Sequence, residues 1–244
     1  QLLSTGTFTL SSTRGVTLTA ASGLAASSGN TLTVAGIITG GFALGINAAE
    51  QTGTVLLSGA NTYTGLTTVS AGTLKLGSTG ALGTTANGTT ITSGAVLDLN
   101  GQTYTATEAL TLNGTGISSG GALINSSTAA TYAGLITLGS ASSIVGGTGT
   151  IALTNTGTIT GSGYALTLGG ASGGSLASII GTAAGTLTKQ DAGTWTLSGV
   201  NTYTGITTIS GGTLSVSAES NLGATPASIT AASLTLSGGT LLST

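Results

Sequence analysis

SGANTYTGLTTVSAGTLKLG at residues 58–77 returns as SGVNTYTGITTISGGTLSVS at residues 198–217. At this offset of 140, thirteen of the twenty positions are identical, and only the pair Lys75 and Ser215 changes charge. Each copy alternates Thr with aliphatic residues and interrupts this alternation at Gly, Asn or Ser, which is typical of short β-strands joined by turns. The repetition therefore predicts an architecture of stacked units.

The same pattern of four to six strand-like residues followed by a turn runs through the whole chain, and no segment shows a helical period. Two similar units, at about 15–125 and 149–244, fill most of a single domain over 1–244, and each consists of shorter strand–turn–strand units of roughly twenty residues. Stacked units of this size bury a continuous apolar column that one unit alone cannot bury. We expect an all-β fold, a right-handed parallel β-helix (β-solenoid) of roughly eleven coils.

The strand alternation also predicts which residues fill this column. We expect inward-facing side chains at Leu66, Val69, Leu74, Ile206, Ile209 and Leu214. Trp195, the single Trp, takes the strand position that Val55 holds in the first copy, and this favours packing in the core or a groove over binding.

The repeated turn contains three pairs of residues that we assign structural roles: Asn61 and Asn201, Tyr63 and Tyr203, Gly65 and Gly205. Asn side chains commonly satisfy the backbone groups of turns, and we prefer this interpretation to ligand binding. Gly permits turn conformations that other residues resist. The tyrosines are expected to pack within the repeat. The alternative is a sugar-stacking platform that also includes Tyr104, Tyr132 and Tyr164.

The composition argues against several classes of function. Three basic residues cannot neutralise a row of phosphates, so nucleic-acid binding is not expected. Without Cys or His the chain lacks soft metal ligands and thiol chemistry, and we expect no metal site and no cofactor. The most apolar stretch, at 35–49, is too short and too rich in Gly to predict membrane insertion.

Lys189 and Asp191 are the nearest approach to a charged cluster in the sequence. Some β-helices cleave polysaccharides, and that chemistry needs convergent carboxylates or a base beside a cation. The five carboxylates of this chain are dispersed, and no His is present to activate a Ser. We therefore expect no catalytic residues and no enzyme, with a polysaccharide-active β-helix as the least favoured alternative.

The stretches LSGANTYTGLTTVSAGTLKLG and LSGVNTYTGITTISGGTLSVS resemble the autotransporter-associated β-strand repeat of bacterial passenger domains. Their flanks, GTLTKQDAGTWTLSG before the second copy and GAVLDLNGQTYT after the first, agree with this family. The resemblance implies a right-handed parallel β-helix that is exported to the cell surface or beyond, often in adhesins or surface fibres.

The apolar residues near the two ends of the sequence suggest how such a rod assembles. Strand-like segments that include Leu2, Leu3, Leu241 and Leu242 carry no charges that would block an exposed strand edge. We expect these residues to support head-to-tail stacking of identical chains into a surface or matrix fibre, because such contacts do not close. A competing interpretation is that residues 1–244 are a slice of a longer passenger whose further coils cover both ends. The alternative function is an adhesin module that binds glycans or host surfaces through its lateral face.

Overall fold

The computed structural model of the chain describes residues 1–48, 50–228 and 233–244. The described residues form an all-β parallel solenoid, as the sequence predicts, whose only helical segments are two short 3-10 turns at Ile117–Ser119 and Glu219–Leu222. All the strand pairings are parallel, and every strand pairs with strands about one coil away along the chain.

The strands are short, and all but one have two to five residues. In chain order they are β1 Leu2–Ser4, β2 Phe8–Leu10, β3 Val16–Leu18, β4 Ser22–Ala26, β5 Thr31–Val34, β6 Ile38–Gly40, β7 Leu44–Ile46, β8 Thr54–Leu57, β9 Thr67–Val69, β10 Thr73–Leu76, β11 Thr89–Ile91, β12 Val96–Asp98, β13 Thr103–Tyr104, β14 Leu110–Gly114, β15 Leu123–Asn125, β16 Ala130–Tyr132, β17 Ile136–Gly146, β18 Ile151–Leu153, β19 Thr158–Ile159, β20 Leu166–Gly169, β21 Gly173–Leu176, β22 Ile179–Ile180, β23 Leu187–Lys189, β24 Thr194–Leu197, β25 Thr207–Ile209, β26 Thr213–Val216, β27 Leu234–Leu236 and β28 Thr240–Ser243.

Each coil crosses three faces in turn. The first face stacks β1, β4, β7, β9, β11, β14 and the start of β17, and a bridge from Thr137 to Thr160 continues it to β19 and β22. The second face stacks β2, β5, β8, β10, β12, β15, the end of β17, β20, β23, β25 and β27. The third contains β3 and β6, and then β13, β16, β18, β21, β24, β26 and β28. Eleven passes over the second face correspond to about ten full turns, close to the predicted number of coils.

The two copies of the repeat occupy different faces. In the first copy, β8 and β10 lie on the second face and β9 lies on the first. In the second copy, the equivalent strands β24 and β26 lie on the third face and β25 lies on the second. The chain therefore makes six turns and one additional face between the copies, and the second copy is rotated by a third of a turn about the axis.

The inward positions form one continuous apolar core. Val69, Leu74, Ile209 and Leu214 are fully buried, as predicted. The prediction was wrong for Leu66 and Ile206, which are 38% and 44% exposed. Thr67 and Thr207 point inward in their place, because inward positions on these strands must share the parity of Val69 and Ile209.

This difference in burial sets up a paired test of the core. Leu74→Ala and Leu214→Ala should each lower the free energy of unfolding by about 2–5 kcal/mol, because each leaves a cavity in the column. Leu66→Ala and Ile206→Ala are the matched controls, with an expected cost below about 1 kcal/mol, since exposed substitutions rarely cost more. Urea denaturation of the four variants compares them. Equal losses at the inward and outward positions would contradict the register.

The aromatic residues also belong largely to the interior. Trp195 is fully buried between Gly174 and Leu214 of the neighbouring coils, in agreement with the core role predicted for it. The side chains of Tyr63, Tyr104, Tyr132 and Tyr203 are buried, whereas Tyr164 is exposed. Four of the five tyrosines are thus unavailable for a surface platform.

Candidate functional site

The repeated turn residues lie where three successive coils meet, and Asn61 connects all three. Its Oδ1 accepts a hydrogen bond from the backbone N–H of Ile38 at 2.8 Å, and its Nδ2 donates to the carbonyl oxygen of Ala81 at 2.6 Å. Ile38 belongs to the preceding coil and Ala81 to the following one. One buried side chain therefore satisfies backbone groups on both sides, which would otherwise cost free energy.

Asn201 repeats this arrangement in the second copy, which is rotated by a third of a turn about the axis. Its Oδ1 accepts from the backbone N–H of Ile180 at 2.7 Å, and its Nδ2 donates to the carbonyl oxygen of Asn221. Both asparagines are at most 5% exposed. Asn61 and Asn201 thus both bond backbone groups of the neighbouring coils.

A buried hydroxyl pair completes each copy. The Tyr63 hydroxyl shares a hydrogen bond of 2.7 Å with Thr67 Oγ1, and the Tyr203 hydroxyl shares one of 2.6 Å with Thr207 Oγ1. Burial raises the pKa of Tyr203 to about 12 and raises that of Tyr63 as well, so both phenols stay neutral at physiological pH. This pairing explains why inward-facing Thr is tolerated beside aliphatic neighbours.

Gly65 and Gly205 have a different reason for being glycine. A Cβ at Gly65 would lie 2.0 Å from the carbonyl oxygen of Phe42, and one at Gly205 would lie 2.3 Å from that of Gly185. Both contacts are with the backbone of the preceding coil. Close stacking of coils therefore requires these glycines. Backbone conformation does not, because neither glycine has a positive φ. We call the Asn–Tyr–Gly–Thr group of each copy the coil clamp: Asn61, Tyr63, Gly65 and Thr67 in the first, and Asn201, Tyr203, Gly205 and Thr207 in the second.

Other buried asparagines make similar bridges, and the sequence interpretation missed them. Asn47 Oδ1 accepts from the N–H of Ala26 at 2.9 Å, and its Nδ2 donates to the carbonyl of Gly53 at 2.7 Å. Asn125 Oδ1 accepts from the N–H of Gly101. The available signal was an Asn directly after a strand-like apolar segment, GIN at 45–47 and LIN at 123–125.

The two members of the charged pair considered for catalysis, Lys189 and Asp191, bond different backbone groups. Lys189 is fully buried, and its Nζ donates to the carbonyl oxygens of Gln190, Asp191 and Gly211 at 2.6, 2.8 and 2.9 Å. The Asp191 carboxylate instead accepts from the N–H of Gly170 at 2.8 Å. Burial lowers the pKa of Lys189, and the nearby Asp191 charge partly offsets this. The ammonium caps backbone carbonyls at one edge of the core.

A second charged group lies at the second face. Lys75 Nζ is 3.4 Å from Asp98 Oδ2 and donates to Ser126 Oγ at 3.0 Å, while Ser126 donates to the same carboxylate oxygen at 2.6 Å. The Asp98 carboxylate also accepts from the backbone N–H groups of Asn100 and Ser126. These contacts connect three successive coils. The group thus has the geometry of a coil-stacking contact.

Apolar side chains are exposed at both outer coils of the described solenoid. Leu2, Leu3 and Leu242 are 43%, 42% and 44% exposed, whereas Leu241 is partly buried against the core. Leu2 opposes the buried Leu24 of the next coil. Two further apolar residues, Phe8 and Leu236, oppose the buried Leu32 and Ile209 and are 50% and 58% exposed. These end surfaces continue the apolar column outward.

Comparison with known proteins identifies the repeated segments. Residues 51–76 and 187–216 match the family described as Passenger-associated-transport-repeat. Over 95 residues, 38% of this chain, the sequence is 38% identical to a protein named Adhesin BmaC autotransporter from Brucella suis biovar 1 (strain 1330). The matched part covers 3% of that relative's length. No solved structure matches.

These matches agree with the resemblance inferred from the repeated turn. The chain carries two autotransporter passenger repeats on a β-solenoid, which places it at the cell surface or outside the cell. The matched proteins are passenger repeats and an adhesin, not enzymes. Within the described residues, no helix is long and apolar enough to cross a membrane.

Proposed function

We propose that this chain is a non-enzymatic structural segment of an exported surface protein, a β-helical rod whose ends stack on further coils of identical chains. The observation that carries the structural role is the clamp itself. Asn, Tyr, Gly and Thr are retained in both copies, and all four act between coils or inside the core. Repetition has preserved these four groups and their contacts.

The rotation between the copies supports the same conclusion. A flat partner that bound one copy through its lateral face would meet a different face at the second copy, a third of a turn away. A repeat that served lateral recognition would be expected to remain on one face. A clamp that joins coils works on any of the three faces, because each face has the same parallel stacking.

The two end surfaces of the rod support head-to-tail assembly with a second copy. Leu2 and Phe8 at one end, and Leu236 at the other, are side chains of the inner column that solvent reaches. Covering these side chains removes apolar area from water, and this stabilises the contact by about 25 cal/mol for each Å² buried. New parallel backbone hydrogen bonds would form between the outer strands. The interface joins unlike ends, so it propagates as a fibre.

Sedimentation velocity at increasing concentration tests this assembly. We expect the unmodified chain to form larger species as its concentration rises, and Leu2→Lys to remain monomeric because a charge then lies on the end surface. Ile206→Lys is the control, since Ile206 is equally exposed but lies on the lateral surface. A chain that stays monomeric throughout contradicts the assembly. So does a variant series in which Ile206→Lys, and not Leu2→Lys, abolishes it.

An adhesive lateral face is the second candidate. Its support is the name of the matched relative and the in-register row of Thr68, Thr90, Thr111 and Thr137 on the first face. This row presents uncharged hydroxyl and methyl groups, which suit neutral glycans or a host protein surface. Binding of the purified chain to neutral glycans, unaffected by Leu2→Lys, would favour this function.

A further inference from the structure

Glu108 is the one carboxyl group of the described chain that is buried without a charged partner. It is 1% exposed. Its Oε1 accepts a hydrogen bond from Thr89 Oγ1 at 3.0 Å, while its Oε2 has no hydrogen-bond partner among the described residues. An ionised carboxylate in such a place is strongly unfavourable unless it is paired.

The groups around Glu108 are phenols. Tyr63, Tyr104 and Tyr132 are the titratable groups that interact electrostatically with Glu108. Each of the three lies on a different coil. The Tyr132 hydroxyl donates to the main-chain oxygen of Glu108 at 2.7 Å, and the Tyr132 ring stacks on Tyr104 with centroids 5.6 Å apart. None of these groups supplies a positive charge.

The Tyr104 hydroxyl does not pair with Glu108. Tyr104 Oη and Glu108 Oε2 are both buried, and neither forms a hydrogen bond with the other. The polar group beside the phenol is the backbone of Leu82. The phenol therefore leaves the Glu108 carboxyl uncompensated.

The basic residues are engaged elsewhere or belong to distant coils. Lys75 pairs with Asp98, and Lys189 caps backbone carbonyls near the second clamp. Arg14 lies on the first coil. Among the described residues, no group of three or more potential ligands is placed to hold a metal ion beside Glu108. A proton is therefore the remaining source of neutralisation.

We propose that Glu108 is a proton-binding site inside the solenoid, held as a neutral carboxyl because it is buried with one oxygen unpaired and with no cation beside it. With the proton bound, Glu108 and the phenols of Tyr63, Tyr104 and Tyr132 are all neutral. Loss of the proton leaves a carboxylate among three phenols in the apolar column, so this part of the rod loosens in alkaline surroundings.

The sign of the pH dependence follows from burial. Desolvation raises the pKa of Glu108 from its ordinary 4.5 to about 7, and the Thr89 hydrogen bond opposes this only in part. The folded chain then binds more protons than the unfolded chain between these values. The stabilisation is fully present below pH 4.5 and is lost as the pH rises through 7.

Denaturant unfolding of the full chain at pH 5.5 and 8.5 measures this effect. The unfolding equilibrium constant of the unmodified chain should rise about 30-fold between these pH values through Glu108 alone. Glu108→Gln keeps a neutral side chain of the same shape and should remove that rise. Because buried Lys189 also changes its proton affinity on folding, the difference between the two proteins is the quantity to compare. Glu219→Gln, at an exposed position, should behave like the unmodified chain.

Infrared difference spectroscopy provides a readout that a merely structural role would not give. At pH 6, where exposed carboxyl groups are ionised, the unmodified chain should show the C=O band of one protonated carboxyl. The band should vanish in Glu108→Gln and remain in Glu219→Gln. Absence of the band in the unmodified chain overturns the proposal, even if Glu108→Gln does not fold. Persistence of the band in a folded Glu108→Gln variant overturns it as well.

Discussion

Gly65→Ala and Gly205→Ala are each expected to destabilise the solenoid by about 3 kcal/mol or more, at the upper end of the cost of overpacking. The added Cβ would lie 2.0 Å from the carbonyl oxygen of Phe42 in the first copy and 2.3 Å from that of Gly185 in the second. Neither oxygen can move away alone, because each belongs to the backbone of the adjacent coil. The coils themselves must separate, and the Asn61 and Asn201 bridges in the same clamps then lengthen.

Gly6→Ala is the matched control for this prediction. Gly6 has no heavy atom within 4 Å of an added Cβ and no positive φ, so the substitution should be neutral or slightly stabilising. Thermal unfolding followed by circular dichroism compares the three variants. If Gly65→Ala and Gly205→Ala have the same melting temperature as Gly6→Ala, close contact between coils is not the reason why these positions are glycine.

Trp195→Ala is expected to lower the free energy of unfolding by about 3–5 kcal/mol, with a further loss from one broken hydrogen bond. Trp195 is the largest fully buried side chain of the described core. Its Nε1–H donates to the carbonyl oxygen of Gly169 at 2.9 Å, and its ring fills the space beside Gly174, where a Cβ would lie 3.0 Å from Trp195 Cη2. Removing the ring therefore opens a cavity beside Gly174, which has no side chain to fill it.

Tyr164→Ala is the aromatic control, because Tyr164 is 39% exposed and belongs to no clamp. Its loss should cost less than about 1 kcal/mol. Guanidinium denaturation followed by far-ultraviolet circular dichroism suits both variants, since Trp fluorescence disappears with Trp195. Similar midpoints for Trp195→Ala and Tyr164→Ala would contradict the placement of the indole in the core.

Local pattern was sufficient to predict the fold. Alternation of Thr with aliphatic residues, as in Thr73–Leu76, predicts a β-strand and shows which of its side chains point into the core. The period of the repeat predicts that successive coils stack on one another. A structural role for Asn61 and Asn201 is the interpretation that their turn positions favour. What the sequence did not reveal was that each Asn reaches two neighbouring coils, since its partners lie 20 to 23 positions away.

The parity error at Leu66 has a specific physical cause. The stretch LTTV places Leu66 and Thr67 side by side, and hydrophobicity alone selects Leu66 for the core. The Tyr63 hydroxyl, buried in the same clamp, instead requires a polar inward neighbour, which Thr67 provides. The role of Glu108 was similarly hidden, because its surroundings come from Tyr63, Thr89 and Tyr132 on other coils.

The rotation between the copies could not be predicted from the repeat alone. Whether an offset of 140 residues equals a whole number of coils depends on the number of residues in each coil. In this chain the number of residues in a coil varies with the length of its turns. The pairing of β15 with β17, and of β17 with β20, fixes the path of the second face through the middle of the chain. That path places β25 of the second copy on the face that carries β10 of the first.

The most direct test of this account is a pair of spin-label distances across the two copies. The chain has no native Cys, so two doubly labelled proteins can be made by introducing pairs of Cys. One carries labels at Thr68 on the first face and at Thr208, and the other carries labels at Thr73 on the second face and at Thr208. Thr73 and Thr208 share a face six coils apart, which corresponds to about 29 Å at a strand spacing of about 4.8 Å. We expect the distance from Thr73 to Thr208 to be the shorter of the two, because Thr68 lies on a different face. A shorter distance from Thr68 to Thr208 would mean that both copies lie on one face, and would contradict the claim that the repeat maintains the interior stack and not a lateral surface.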